Sequence, residues 1–463
     1  MTRQQMSPVD AAWLHMGRPT NLMIVNGLLE LEGPVDYERA KETIRERLVE
    51  RFPRFHQRVV EPPLGLGLPA WEDDTEFDLD LHLHRVALPA PGDRASLRQL
   101  ASELVVLPLD PAKALWEMHF VEGYGSHTVL LARTHHCIAD GIALARVLLS
   151  LTDEQPEAGA AALAQTEPSR PGAGAATTAA HMLGGALHES VEMLAHPATE
   201  TRALLDGVTS NARALAKILL TGPDTRTVLK HAPGTARRLT WCEPVPLEDV
   251  KAIGHATGTT VNDVVVTAIT GALRSYLEHR DSLADELRAV VPFNLRPLDQ
   301  PLPPELGNRF GLVDLALPLA LADPEERLAE VHRRMNEIKS SPEGPLSHQI
   351  LGLVGRTPPP LERRLIDLTS DAESAVITNV PGPAQPVYFA GVRVTGLLAW
   401  VPTGGTIGIG LSIISYDGAV TVALQTAANI VPDPEPIVTA FAHEMDRLAR
   451  LRPAARPRPR AAR

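Results

Sequence analysis

The chain has 463 residues, of which 44% are apolar and only 4% aromatic, so the length exceeds what one core spans and two lobes with aliphatic interiors are expected. A formal net charge of −12 excludes a nucleic-acid-backbone binder. Two cysteines, Cys137 and Cys242, make neither a disulfide framework nor a zinc-type ligand set, and no metal is expected.

The first residues, MTRQQMSPVDAAWLHMG, lack the apolar core of a secretory signal. A strand is expected over Asn21–Leu31. A helix should follow over Asp36–Arg51, with Ala40, Ile44 and Leu48 on one face. Phe77–Val86 alternates apolar and polar residues, as a half-buried strand does. A helix is read over Ala95–Leu107, strands at Phe120-Val121 and Thr128–Thr134, and a helix over Ile142–Leu151. These make a first lobe, residues 1–152.

The composition then shifts to Ala, Gly, Pro and Glu, a flexible connection. Two helices should follow, striped by Leu183, Leu187, Val191, Leu194 and by Leu204, Val208, Leu215, Leu219. Linker and helices occupy residues 153–235. The second lobe, 236–450, holds a helix over Val261–Leu277 capped by Thr260. A strand over Ala289–Phe293 and a helix faced by Leu328, Val331, Met335 and Ile338 come next. Four strands follow: Ala375–Thr378, Val392–Leu398, Ile407–Tyr416 and Val420–Ala427. Ile437, Phe441, Met445 and Leu448 mark a closing helix. Val394–Tyr416 carries no side-chain charge after Arg393, but Pro402 and Gly404-Gly405 make it two strands joined by a turn rather than a membrane span. The Arg-rich end, 451–463, reads as a basic disordered tail able to meet anionic lipid. Strands and helices in both halves give an α/β protein of two lobes, with a ligand crevice between them.

Chemistry concentrates at RTHHCIADGIALARVLL. His135 and His136 end a strand; Asp140 and Gly141 open a helix. A neutral imidazole can take a proton from a hydroxyl at cellular pH if it is held in one tautomer. Gly141 allows close approach of a backbone or a thin ligand. From spacing alone, catalysis, a structural pair and a metal pair with Asp140 all stay open.

His135-His136-x-x-x-Asp140-Gly141 resembles the HHxxxDG motif of the CoA-dependent acyltransferase superfamily. Further segments are similar to the bacterial wax ester synthase/diacylglycerol acyltransferase family. They are Ser7-Pro8-Val9-Asp10, Trp13-Leu14-His15, Phe77–Asp93, Pro108-Leu109-Asp110, Leu115-Trp116-Glu117, Asn262-Asp263, Gly307-Asn308 and Asn379–Pro383. Ala114, where the motif has proline, and Cys137 depart from the pattern.

The resemblance implies two chloramphenicol-acetyltransferase-like lobes, each a mixed sheet with helices, and a site in the crevice or tunnel between them. It implies His136 as general base and His135 as structural. Asp140 becomes an architectural ion-pair partner, for which Arg296 is the candidate, and Asn262 is the candidate oxyanion donor. Asn379–Pro383 shapes a wall. The implied reaction is direct transfer of a long-chain acyl group from acyl-CoA to diacylglycerol or a fatty alcohol, without cofactor. Such acceptors imply a cytoplasmic protein peripheral to the inner membrane face or lipid droplets. The rivals are a condensation-type acyltransferase fed by a carrier protein and a non-catalytic lipid-binding or droplet protein.

Overall fold

The computed structural model describes residues 3–63, 67–156, 222–297 and 299–451. The two helices expected between Leu183 and Leu219, most of the linker and the basic tail beyond residue 451 lie outside the described residues.

In chain order, the first half comprises β1 (Arg3–Gln5), α1 (Pro8–His15), β2 (Ile24–Leu31), α2 (Tyr37–Ile44, continuing as a π turn to Val49), β3 (Gln57–Val60) and β4 (Ala70–Asp73). It continues with β5 (Leu83–Ala87), α3 (Arg94–Leu104), β6 (Trp116–Tyr124), β7 (His127–His135), α4 (Gly141–Ser150) and β8 (Thr152–Asp153). The second half begins with β9 (Arg237–Trp241), β10 (Val245–Pro246), α5 (Leu247–Thr257), α6 (Val261–Glu278), β11 (Glu286–Asn294) and β12 (Phe310–Pro318). Then follow α7 (Pro324–Lys339), α8 (Glu343–Val354), α9 (Pro359–Ser370), β13 (Ala375–Pro381), β14 (Tyr388–Phe389), β15 (Val392–Trp400), β16 (Ile409–Tyr416), β17 (Ala419–Ala427) and α10 (Glu435–Ala449).

Two seven-stranded mixed sheets carry the architecture. One has the order β5-β6-β7-β2-β15-β14-β8. The other runs β10-β17-β16-β13-β11-β12, with β9 paired on β17; β1, β4 and β3 form a small third sheet. A separate apolar core fills each half. One holds Leu31, Ile44, Leu130 and Val394; the other holds Val264, Ile269, Val331, Leu411 and Leu448. A third cluster, with Leu28, Val129, Leu239 and Leu398, joins them.

The division at residues 152 and 236 needs correction. β14 and β15 come from the second half, yet they complete the first sheet, β15 pairing antiparallel with β2 over Val394–Trp400. An uncharged strand is stable wherever both its faces are covered, and periodicity does not say by which lobe. Val394–Tyr416 is thus two strands joined by a turn, but β15 and β16 belong to different sheets, and the turn between them crosses from lobe to lobe.

Phe77–Val86 is not one strand either. The Asp78 carboxylate accepts from Asp80 N and caps a short 3-10 turn, Leu79–Leu81, before β5 begins. A local side-chain cap outcompetes the ladder there.

Candidate active site

β7 is held against β2 in continuous register, with Ile24 opposite His135. The ladder ends there. His136 N donates to Met23 O, and Asp140 then caps α4 by accepting from Ala143 N at 2.8 Å. His135 and His136 are both buried and face different environments. His135 Nδ1 accepts from Cys137 N at 3.2 Å. Burial, and then the neighbouring His136, press its pKa down to about 3, so it stays neutral and supports the turn.

His136 stacks on Trp13 of α1 with ring centroids 4.2 Å apart, and Phe310 lies on it at 5.5 Å. Its Nδ1 is 3.1 Å from Asn308 Oδ1. The orientation of that amide is over-determined. Asn308 Nδ2 is 2.8 Å from the carbonyl of His136 and 2.8 Å from Asp10 Oδ1, while Asp10 Oδ1 also accepts from Asn308 N at 2.9 Å. A carbonyl only accepts and a backbone N–H only donates, so Nδ2 must be the donor and Oδ1 the acceptor. Nδ1 of His136 therefore carries the proton and Nε2 carries the lone pair.

Nothing among the described residues hydrogen-bonds Nε2, and the ring lines a mostly apolar cavity between the lobes. Burial lowers the His136 pKa, against the raising effects of its own backbone, Asp140 and Asn308. The ring is thus neutral at pH 7. The indole face of Trp13 favours the cation formed when it takes a proton.

The orienting chain continues outward. Ser7 Oγ donates to Asp10 Oδ2 at 2.6 Å and also caps α1. Gly307, at φ +78°, brings Asn308 in; a Cβ there would stand 3.3 Å from Asp10 Oδ2. Gly307 N donates to Ile138 O at 3.0 Å and fixes this segment beside the His136 turn. Sequence reasoning quoted Ser7–Asp10 and Gly307-Asn308 but gave them no role. The signal was there: an ordered Asp and an ordered Asn with nothing else to explain them.

Arg296 Nη2 lies 3.3 Å from Asp140 Oδ2, and both side chains are 4% exposed. Asp140 Oδ2 also accepts from Arg309 N at 3.1 Å, and Arg296 donates to Gly307 O at 2.8 Å. This ion pair ties the first lobe to the loop that carries Asn308. Asp140 touches no ring nitrogen of His136; its bonds are to the α4 cap, to Arg296 and to Arg309.

Asn262 requires correction. It opens α6 behind a capping box formed by Thr260 and Asp263, but it does not line the His136 cavity. Its Oδ1 accepts from Asn379 Nδ2 at 3.0 Å, and Asn379 is the one that reaches the cavity wall. The first turn of a helix is a good place for a donor, but helix position alone does not say which way that turn faces.

The cavity beside His136 encloses about 270 Å³. A second, almost wholly apolar one of about 90 Å³ lies under α4 and β15. Both have Val25, Gly141, Thr378 and Val401 in their walls, so they adjoin. A Cβ on Gly141 would meet no protein atom within 4 Å, which leaves that side of the helix start open to a ligand. Asn379 lines the first cavity, while Val380, Pro381 and Gly382 line the second.

Comparison with known proteins shows the family and the fold. The family model described as the wax ester synthase/diacylglycerol acyltransferase catalytic domain matches residues 6–265, and the WS/DGAT C-terminal domain model matches 306–449. A probable diacylglycerol O-acyltransferase of Mycobacterium tuberculosis is 29% identical over 419 residues, covering 89% of this chain and 88% of the relative. The solved wax ester synthase/diacylglycerol acyltransferase of Marinobacter aquaeolei aligns with a TM-score of 0.68 at 23% identity, covering 96% of this chain and 98% of that one. The first condensation domain of the calcium-dependent antibiotic synthetase shares the fold at 16% identity, with a TM-score of 0.62 and coverage of 97% and 96%.

Proposed function

The chain belongs to the wax ester synthase/diacylglycerol acyltransferase family and is an acyltransferase, and from that premise we propose that it transfers a long-chain acyl group from acyl-CoA to diacylglycerol, giving triacylglycerol, and to fatty alcohols, giving wax ester. The observation that carries the chemistry is the single tautomer of His136, whose unpartnered Nε2 lines the cavity wall. Nε2 takes the acceptor's hydroxyl proton as the oxygen attacks the thioester carbonyl. The C–S bond then breaks, and Nε2–H returns the proton to the departing thiolate. No acyl-enzyme forms. The apolar arm behind Gly141 suits an acyl chain, because every methylene buried there leaves water at a gain of about 0.8 kcal/mol.

Product analysis by thin-layer chromatography, with diacylglycerol and hexadecanol in competition for acyl-CoA, tests this reading. Triacylglycerol and wax ester are expected from the wild type, and a loss of roughly 10²–10⁴-fold in His136→Ala. Unchanged turnover in that variant would remove the base assignment.

Both acceptors reside in lipid, so the protein works at a lipid surface. No helix among the described residues is long and apolar enough to cross a membrane. Leu361, Leu365 and Leu368 recur by four and three on α9 and are 50%, 36% and 67% exposed, next to Leu353 of α8 at 65%. Arg363 and Arg364 flank them, and Ile366 and Thr369 of the same helix line the cavity. An apolar stripe edged by arginine at the cavity lip fits peripheral docking on anionic lipid. A Leu365→Glu/Leu368→Glu variant should float less with vesicles containing anionic lipid and diacylglycerol. Equal flotation would put the lipid contact elsewhere.

A further inference from the structure

Away from the acyl-transfer site, the outer strands of the first sheet gather two imidazoles and a carboxylate. β5 and β6 run parallel with His84 directly opposite His119. Glu117 is two residues before His119 on β6, so its side chain shares that face. One ligand atom from each of the three lies within 4.8 Å of the others. His119 Nε2 is 3.5 Å from Glu117 Oε2, and the rings of His84 and His119 are 4.9 Å apart. A tetrahedral ion with bonds of about 2.0–2.1 Å spaces its donors by roughly 3.3 Å. Glu117 and His119 already stand near that spacing. His84, half-buried on an edge strand, closes the rest by a side-chain rotation.

His119 supplies the independent sign of a missing partner. It is 6% exposed, and among the described residues its Nδ1 has no hydrogen-bond partner, while Nε2 faces the Glu117 carboxylate at 3.5 Å. A buried imidazole nitrogen left unpaired is a costly arrangement unless something binds it. Glu117 is positioned from behind: Arg133 of β7, wholly buried, donates to Glu117 Oε2 at 2.9 Å. Such outer partners orient ligating carboxylates.

We propose that His84, Glu117 and His119 bind one divalent transition ion of the zinc type, with the fourth position open to solvent. Two imidazoles and one carboxylate select such an ion over calcium or magnesium, which take oxygen ligands. The ion clips edge strand β5 onto β6, the neighbour of β7, the strand that leads into His136. Its role is structural and independent of the acyl-transfer chemistry.

The test uses the full, untagged chain, stripped with chelator and titrated with Co²⁺ under visible absorption, followed by Zn²⁺ displacement. Roughly one equivalent should bind per chain, with the bands of a low-coordinate ion, and Zn²⁺ should raise the Tm. His84→Ala, on the half-buried member, should abolish the bands and the Zn²⁺-dependent rise. Its metal-free Tm and its acyl transfer should match the wild type. His136→Ala should keep the bands. Absence of bands at micromolar Co²⁺, their survival in His84→Ala, or their loss in His136→Ala would each overturn the proposal.

Discussion

Two side chains far apart in sequence choose which nitrogen of His136 faces the cavity. Asp10 and the His136 carbonyl hold the Asn308 amide, and Asn308 Oδ1 then holds the proton on Nδ1. Without that acceptor the ring samples the other tautomer, which points an N–H where a lone pair is needed. Asn308→Ala should therefore lower kcat by roughly 10–100-fold, part of what a general base contributes, with a smaller change in KM. It should also move the acidic limb of the rate profile. Burial already places the His136 pKa below the ordinary imidazole value, and the Asn308 hydrogen bond raises it. Removing that bond lowers the pKa further, so the unprotonated base persists to lower pH and the limb shifts to lower pH as the plateau falls. A variant that merely loosened the fold would lose activity without that shift, and such a result would sink the positioning role.

At the scale of elements, α9 forms the lip of the cavity and is held to α1 by a buried charge. His15 Nδ1 lies 3.1 Å from Glu362 Oε2, and Nε2 lies 3.4 Å from Glu61 Oε1. The Glu362 and Glu61 carboxylates raise the His15 pKa to about 9. A base whose folded pKa is raised adds stability that is complete below its unfolded value, near about 6.5, and is lost as pH rises through about 9. The Tm advantage of the wild type over His15→Gln should thus be full near pH 6 and shrink toward about pH 10. Parallel curves for the two proteins would mean that this contact adds nothing. Because Arg363 of α9 also donates to His15 O, weakening the clasp should loosen the leucine-bearing face as well.

Two of the ties between the lobes act at the scale of the whole molecule. One is backbone: β15, from the second half, completes the first sheet. The other is the Asp140–Arg296 pair, which anchors the loop carrying Asn308. Removing one member of such a buried pair strands the other and costs about 3–5 kcal/mol. Asp140→Asn should lower the Tm accordingly and lower kcat with it, while leaving one cooperative transition, because the shared sheet still couples the halves. Replacing both members, as Asp140→Leu with Arg296→Met, should recover part of the loss. Recovery stays partial, since Asp140 also caps α4 and accepts from Arg309 N. No recovery at all would point to a role beyond architecture.

Local patterns were legible where one physical cause dominates. Helical periodicity gave the α7 face, and all of Leu328, Val331, Met335 and Ile338 are buried. The strand-end histidines and the α4 cap followed from residue type and spacing. Asp78 defeated the alternation rule because a local cap is worth more there than a ladder position. Asn262 was misplaced because which way a helix start faces depends on packing against other elements.

The sequence by itself determined most of the periodic helices and strands and the motif, because these depend on neighbours a few positions apart, and its family resemblance implied the base. Only the tertiary structure decided that β15 serves the first sheet, that Asn308 and Asp10 set the tautomer of His136, and that His84 meets Glu117 and His119. Those outcomes depend on which distant side chains are brought within hydrogen-bond reach, and packing of the whole chain fixes that.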